Sequence, residues 1–238
     1  MCIRDSGCTM KEKEKKMYTL LLLLIYLAFI SLGLPDSLLG SAWPVMHKAF
    51  QVPLSYAGLV TMIISVGTIC SSLMSERLTK KFGTQIVTVF SVMLTAIALF
   101  GFSTASAFWM LCLWAVPYGL GAGAIDAALN NYVALHYNSR HMSWLHCFWG
   151  LGTIISPYVM SYALTTSVWQ NGYRMVSFIQ IGITLILFVT LPIWKVNKKE
   201  TAQEEKAEEE MVGIKGALKI KGVPNLLLGF FSLSLIHI

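Results

Sequence analysis

The sequence predicts an all-α membrane protein built around a bundle of six transmembrane helices. Two observations on composition support this prediction: the mean hydropathy is +0.64, and 55% of the residues are apolar whereas only 13% are charged. The third is a series of long runs without charge. A soluble domain of 238 residues has to cover its surface with polar groups, so this composition is typical of a protein that resides in a lipid bilayer.

Six apolar runs are each long enough to cross about 30 Å of hydrocarbon. The runs are residues 18–43, 55–75, 85–104, 108–135, 143–165 and 174–194. A seventh apolar run starts at Val223. Because connections such as 105–107 are short, we expect consecutive helices to be antiparallel.

The two ends of the chain can be encoded by one nucleotide sequence and its reverse complement. Residues 1–5 can be encoded within ATGTGTATAAGAGACAG, and the reverse complement of this sequence encodes residues 233–237. We therefore interpret residues 1–9 and 233–238 as translated sequencing-adapter sequence. The protein is accordingly expected to be a fragment that starts naturally at a later methionine.

Basic residues predict the orientation of the helices, because Lys and Arg accumulate on the cytoplasmic side of a membrane. From Met10 onward, 15 basic residues fall on the side of the N-terminus, whereas only Lys48 and Arg174 fall on the other side. The sequence thus predicts a multi-pass protein of the cytoplasmic membrane with its N-terminus inside. The expected parts are the bundle at 10–194, a cytoplasmic linker at 195–222 and the start of a seventh transmembrane helix at 223–232.

Short sequence matches predict that the six helices form an inverted repeat of three plus three. The pattern GxxDxxL occurs at 33–39 and 123–129, and the pattern GTIxS occurs at 67–71 and 152–156. The two patterns follow in the same order at similar offsets, as expected if spans one to three and four to six are inverted copies.

Asp36 and Asp126 are the only ones of the twelve acidic residues within the predicted spans. A charged carboxylate at membrane depth costs about 2.5–3.5 kcal/mol or more, so such groups usually face a bundle interior or a water-filled cavity. Since their helices run in opposite directions, we expect Asp36 toward the outer leaflet and Asp126 toward the inner one. Both are candidates for proton coupling; the alternative is a neutral acid that serves helix packing. Pro35 and Pro44 are expected to loosen the first helix and to free backbone groups near Asp36.

Four further polar residues in the spans are candidates for solute binding. Asn130 lies one helical turn beyond Asp126 and suits sugar hydroxyls, which need donors and acceptors, but it could equally join two helices. His146 and Trp149 lie three residues apart near the cytoplasmic end of the fifth span, where His146 could relay protons or serve the interface. Gln180 in the sixth span is a weaker solute contact.

Several other classes of function find no support in the sequence. No nucleophile, base and orienting group occur at a recognisable spacing, so an enzyme is not expected. Cys70, Cys112 and Cys147 lie on three different apolar segments, and no cofactor motif occurs, so neither a metal nor another cofactor is predicted. The formal charge of +6 is explained by cytoplasmic loop residues, which argues against nucleic-acid binding.

Residues 72–81 resemble the GxxxDRxGRK signature of the major facilitator superfamily, although Ser72 and Thr79 replace its glycines. The matched positions are the acid and the three basic residues, Glu76, Arg77, Lys80 and Lys81. The resemblance covers 18–231 and implies a gating loop between the second and third spans. It also implies twelve helices in two bundles that rock about a central cavity, of which this chain holds the N-terminal bundle and lacks the C-terminal one.

Within that superfamily the chain is similar to the fucose, galactose and glucose proton symporters. Their first helix carries an aspartate, matched by Asp36, and their fourth carries an acid followed four residues later by asparagine, matched by Asp126 and Asn130. The fourth-helix acid is Asp here instead of Glu. The resemblance implies symport of a sugar or similar small polar solute with protons. Proton-antiport efflux of drugs or metabolites, a non-transporting membrane sensor, and a dimerising half-transporter are the alternatives.

Overall fold

A computed structural model describes residues 4–194, 222–226 and 228–229, with side chains described for 17–192, 222–226 and 228–229. Residues 4–194 are almost entirely helical, as the apolar runs predict. The elements are α1 (Arg4–Asp36), α2 (Leu38–Ala49), a 3₁₀ turn (Leu54–Tyr56), α3 (Ala57–Phe82), α4 (Thr84–Thr104), α5 (Phe108–His136), α6 (Ser139–Thr166), α7 (Trp169–Val189) and α8 (Leu191–Trp194).

Six segments of this described region are long and apolar enough to cross a membrane, which confirms the predicted six-helix bundle. They are Met17–Ala49, Leu54–Phe82, Thr84–Thr104, Phe108–His136, Ser139–Thr166 and Trp169–Val189. The protein is thus a multi-pass membrane protein. We call the end with the connections at 83 and 137–138 the Gly83 end, and the end with those at 50–53, 105–107 and 167–168 the Ala105 end.

The first span is broken beside its carboxylate. The helix α1 ends at Asp36, and α2 begins at Leu38 after a single turn residue, Ser37. Pro35 lies in the last turn of α1, where it has no N–H to donate to the carbonyl four residues earlier. The predicted loosening is therefore observed at Pro35, whereas α2 continues through Pro44.

The sixth span lies earlier in the chain than predicted, at Trp169–Val189 instead of 174–194. The prediction took Arg174 as the boundary because it is charged, but that side chain is exposed on the first turns of α7. Trp169 and Tyr173, which precede it, are buried in the bundle, and their packing extends the helix toward the Ala105 end. The segment after Thr190 forms the separate short helix α8.

The predicted loop at 72–81 is helical, because α3 continues to Phe82. The residues that replace the signature glycines, Ser72 and Thr79, do not break a helix, and each hydroxyl donates to a backbone carbonyl. The helix ends at Gly83, whose φ of 86° is one that favours glycine. Gly83 alone therefore connects the second and third spans.

The α3–α5 contact is a close seam of glycines. A Cβ atom on Gly123 of α5 would overlap the carbonyl oxygen of Thr68, and one on Gly67 of α3 would lie 3.2 Å from Cα of Gly119. Small residues let two helix backbones approach within such distances. We call this contact the α3–α5 seam.

The α1–α6 contact repeats this arrangement and supports the inverted repeat. A Cβ atom on Gly33 of α1 would overlap the carbonyl oxygen of Trp149, and one on Gly152 of α6 would overlap that of Ile30. Gly33 is the repeat counterpart of Gly123, and Gly152 is the counterpart of Gly67. Each matched glycine therefore performs the same packing task, one in the α1–α6 seam and the other in the α3–α5 seam.

The remaining described residues belong to a second unit of the chain, Lys195–Ile238. Residues 223–226 and 228–229 are helical, as expected for the start of a seventh helix at Val223. The predicted linker, apart from Gly222, and the predicted adapter residues at 1–3 and 233–238 lie outside the described residues.

Candidate functional site

Asp36 and Asp126 line one cavity of about 320 Å³, which we call the carboxylate cavity. The helix α1 supplies Asp36, α5 supplies Asp126, and α6 supplies His146 and Trp149. The remaining lining residues are Phe29, Leu32, Ile64, Thr68, Tyr118 and Ala122. The fold thus brings together two groups that are 90 residues apart in the sequence.

Asp36 joins three helices through hydrogen bonds to both of its carboxylate oxygens. The phenol of Tyr118 on α5 donates to Oδ1 at 3.0 Å. The indole Nε1 of Trp149 on α6 donates to Oδ2 at 2.9 Å. Asp36 lies at the break of the first span and is exposed to the cavity. Hydrogen bonds from neutral donors to an ionised carboxylate are stronger than those between neutral groups. The strength of these two hydrogen bonds therefore depends on the ionisation state of Asp36.

Asp126 is paired with Asn130, whose Nδ2 donates to Oδ1 at 2.9 Å. This bond confirms that the two residues share one face of α5. The Oδ1 atom of Asn130 is buried and has no hydrogen-bond partner among the described residues. Asn130 does not itself line the carboxylate cavity, whereas His146 does, and His146 interacts electrostatically with Asp126. The ring of Phe29 meets His146 edge-on at 6.2 Å.

Gln180, predicted as a solute contact, instead packs α7 against two other helices. It is 1% exposed, and it lines neither the carboxylate cavity nor the larger cavity described below. Its Nε2 donates to the carbonyl of Ser31 at 2.6 Å, and its Oε1 accepts from Thr95 at 3.0 Å. In a regular helix the Ser31 carbonyl would accept from the N–H of residue 35, but proline has no N–H. Gln180 therefore donates to the carbonyl that Pro35 leaves without a helical partner.

The residues of the predicted gating loop lie on the last turns of α3 at the Gly83 end. Lys80 and Glu76 form an ion pair at 2.8 Å, with both side chains 61% exposed. Such an exposed pair contributes little to stability. The Lys81 ammonium lies 5.3 Å from the ring centroid of Phe82, and Arg77 is exposed. None of these four residues lines the carboxylate cavity.

Tyr118 bonds to a predicted acid but was missed by the sequence prediction, as were the apolar lining residues and Thr68. It is 4% exposed, lines the carboxylate cavity and donates to Asp36. The signal was its spacing, because Tyr118, Ala122 and Asp126 recur every four residues and so share one face of α5. The bond itself joins residues 82 positions apart, which no local pattern indicates.

Comparison with known proteins gives a family and two relatives. The family model described as Major Facilitator Superfamily matches residues 25–238. "Bypass of stop codon protein 6" of Saccharomyces cerevisiae is 23% identical over 163 residues, which cover 67% of this chain and 33% of that protein. "Glucose/mannose transporter GlcP" of Bacillus subtilis is 22% identical over 182 residues, covering 75% of this chain and 44% of the relative. The matched regions span less than half of either relative.

Proposed function

Because this chain belongs to the Major Facilitator Superfamily, we propose that the complete protein is a proton-coupled transporter of a sugar or similar small polar solute. The observation that carries this proposal is the carboxylate cavity, which Asp36 and Asp126 line together with His146 and Trp149. A sugar is favoured as the solute because one relative is a glucose/mannose transporter. The polar groups around Asp126 also supply both donors and acceptors.

In this proposal Asp36 and Asp126 carry the protons. An ionised carboxylate at membrane depth is costly, so the cavity closes around the solute more readily when the acids are protonated. Protonation of Asp36 also weakens the bonds from Tyr118 and Trp149, since these donors then face a neutral acceptor. Proton uptake thereby loosens α1 from α5 and α6 and permits the helices to rearrange.

The solute contacts in this proposal are the groups next to the acids. The Oδ1 of Asn130, which is buried and has no partner among the described residues, accepts a hydrogen bond from a solute hydroxyl once a side-chain movement uncovers it. His146 presents ring nitrogens to the cavity, and the indole of Trp149 presents an apolar face to the carbon side of a sugar ring. Glu76, Arg77, Lys80 and Lys81 are proposed to control closure at the Gly83 end.

We further propose that a second six-helix bundle of the same protein closes the cavity, and that the Gly83 end faces the cytoplasm. The second bundle is supported by the two relatives, because the matched regions cover only 33% and 44% of their lengths. The orientation rests on the basic residues: Arg77, Lys80, Lys81 and Arg140 lie toward the Gly83 end, whereas Lys48 and Arg174 lie toward the Ala105 end.

The proposal is tested with the full-length protein in weakly buffered cells and in proteoliposomes. Glucose or mannose added to energy-depleted cells is expected to make the medium more alkaline, because protons enter with the solute. Uptake without a change in pH would contradict proton coupling. Binding of sugar without counterflow exchange in proteoliposomes would identify a sensor instead of a transporter.

A further inference from the structure

A second cavity of about 550 Å³ extends from Asp36 toward the Ala105 end, and we call it the Tyr173 cavity. Its residues come from the first, second, third, fourth and sixth spans. Those on which the following inference depends are Asp36, Trp43, Thr61, Phe102, Tyr118 and Tyr173. The volume lies within the range of pockets that bind small molecules.

The phenol of Tyr173 is a polar group of this cavity that the described residues leave unpaired. Tyr173 is 2% exposed, and its hydroxyl has no hydrogen-bond partner among the described residues. Buried hydroxyl groups are nearly always hydrogen-bonded, and leaving one unpaired is destabilising. Tyr173 lines the cavity with its oxygen buried, so a ligand in the cavity can supply the missing acceptor once a small movement of the phenol uncovers that oxygen.

The other polar groups of the cavity define what such a ligand must offer. Asp36 is an acceptor at one end of the cavity, and Tyr118 already donates to it. The Thr61 hydroxyl donates to the carbonyl of Ala57 at 3.1 Å or of Gly58 at 3.0 Å, which leaves its lone pairs as acceptors. A ligand therefore has to accept from Tyr173 and donate to Asp36, and hydroxyl groups do both.

The apolar walls fit the same ligand. Trp43 and Phe102 are each 4% exposed and line the cavity. The indole N–H of Trp43 is committed to the carbonyl of Leu54 at 2.7 Å, so this residue offers the cavity its ring and not its donor. Aromatic rings pack against the C–H groups of a sugar ring while the hydroxyls at its edge meet the polar groups.

We propose that the Tyr173 cavity is a second subsite for a hydroxylated solute, which adjoins the carboxylate cavity and shares Asp36, Ile64 and Tyr118 with it. Tyr173 donates to one solute hydroxyl, and Asp36 accepts from another. Because Asp36 borders both cavities, the solute keeps one partner as it passes between them. This inference rests on the proposed function, from which it takes the solute class.

The test is Tyr173→Phe in the full-length protein, which removes one oxygen atom and keeps the ring. Because that oxygen has no partner among the described residues, the variant is expected to fold and to be at least as stable as the parent. The KM for radiolabelled glucose or mannose uptake is expected to rise about tenfold, the size of one lost hydrogen bond to the solute. Tyr162→Phe, at a tyrosine that is 60% exposed, is the matched control and leaves the KM unchanged.

The outcomes separate this inference from the proposed function. If the parent transports glucose or mannose and Tyr173→Phe leaves the KM unchanged, the subsite is wrong while the function stands. If neither protein transports or binds either sugar, the proposed function fails first. If tetramethylammonium binds the parent and the sugars do not, the cavity recognises a cation, and the assignment to a hydroxylated solute is wrong.

Discussion

The pairing of Pro35 with Gln180 shows how one residue compensates for the backbone defect of another. Pro35 leaves the Ser31 carbonyl without its helical donor, and in hydrocarbon no water replaces that donor. Gln180 reaches this carbonyl from α7 at 2.6 Å. The break that exposes Asp36 to the cavity is therefore stabilised by a residue from another helix.

Replacing Gln180 tests this role. Gln180→Leu leaves the Ser31 carbonyl unpaired, and we expect it to lower the unfolding free energy of the full-length protein by about 1–3 kcal/mol. The measurement is SDS-driven unfolding in mixed micelles. Gln170→Leu, on the same helix, is the control, because the Oε1 of Gln170 has no partner among the described residues. Equal effects of the two changes would show that the bond to Ser31 contributes nothing specific.

Single residues of the site were predictable where their chemistry conflicts with the membrane. Asp36 and Asp126 stand out as acids in apolar spans, and Asn130 follows from the helical repeat. Tyr118 and the role of Gln180 were not predictable, because both depend on which helices meet. Tyrosine and glutamine also occur in ordinary helix packing, so the residue type alone does not show whether such a side chain lines the site or packs two helices together.

The two glycine seams determine how the helices pair. In each seam, a glycine from one helix faces the backbone of the other so closely that a methyl group cannot be accommodated. The α3–α5 seam adds bonds from Ser72 to the Gly123 carbonyl at 3.1 Å and from Ser75 to the Ala124 carbonyl at 3.2 Å. The α1–α6 seam instead includes the bond from Trp149 to Asp36, which depends on ionisation.

A pair of alanine substitutions on α6 tests the α1–α6 seam. A Cβ atom at Gly152 would overlap the Ile30 carbonyl and lie 2.9 Å from the Leu34 nitrogen, whereas one at Gly150 meets nothing within 4 Å. Gly152→Ala is expected to destabilise the full-length protein by about 1–3 kcal/mol through overpacking. Gly150→Ala is expected to be neutral or stabilising by up to about 1 kcal/mol. Similar melting temperatures for the two variants would contradict the close backbone contact at Gly152 in the α1–α6 seam.

The type and order of the helices were predictable from hydropathy, whereas some boundaries were not. Arg174 misled the prediction of the sixth span, since an exposed charge near a helix end need not mark that end. The segment at 72–81 was mistaken for a loop, because its charged residues end the apolar run and the family signature has glycines where Ser72 and Thr79 continue the helix. The inverted repeat was predictable because the glycines that recur in sequence are those that meet in the seams.

For the whole molecule, the distribution of basic residues predicts which end faces the cytoplasm. Single cysteines are placed at Ser106 in the Ala105 end and at Asn138 in the Gly83 end of a full-length protein without other cysteines. Both positions are exposed. A membrane-impermeant thiol reagent added to intact cells is expected to label Ser106→Cys, and to label Asn138→Cys only after permeabilisation. The reverse pattern would show that the bundle has the opposite orientation.

The central claim is that Asp36 and Asp126 couple protons to solute movement within one cavity. Accumulation and exchange of glucose or mannose are compared in proteoliposomes that contain the full-length protein or its Asp36→Asn or Asp126→Asn variant. An imposed proton gradient should drive accumulation by the parent, and each variant should lose this accumulation, because Asn cannot release a proton. At least one variant should retain counterflow exchange, which needs no net proton transfer. Gradient-driven accumulation by both variants at the level of the parent would contradict the claim.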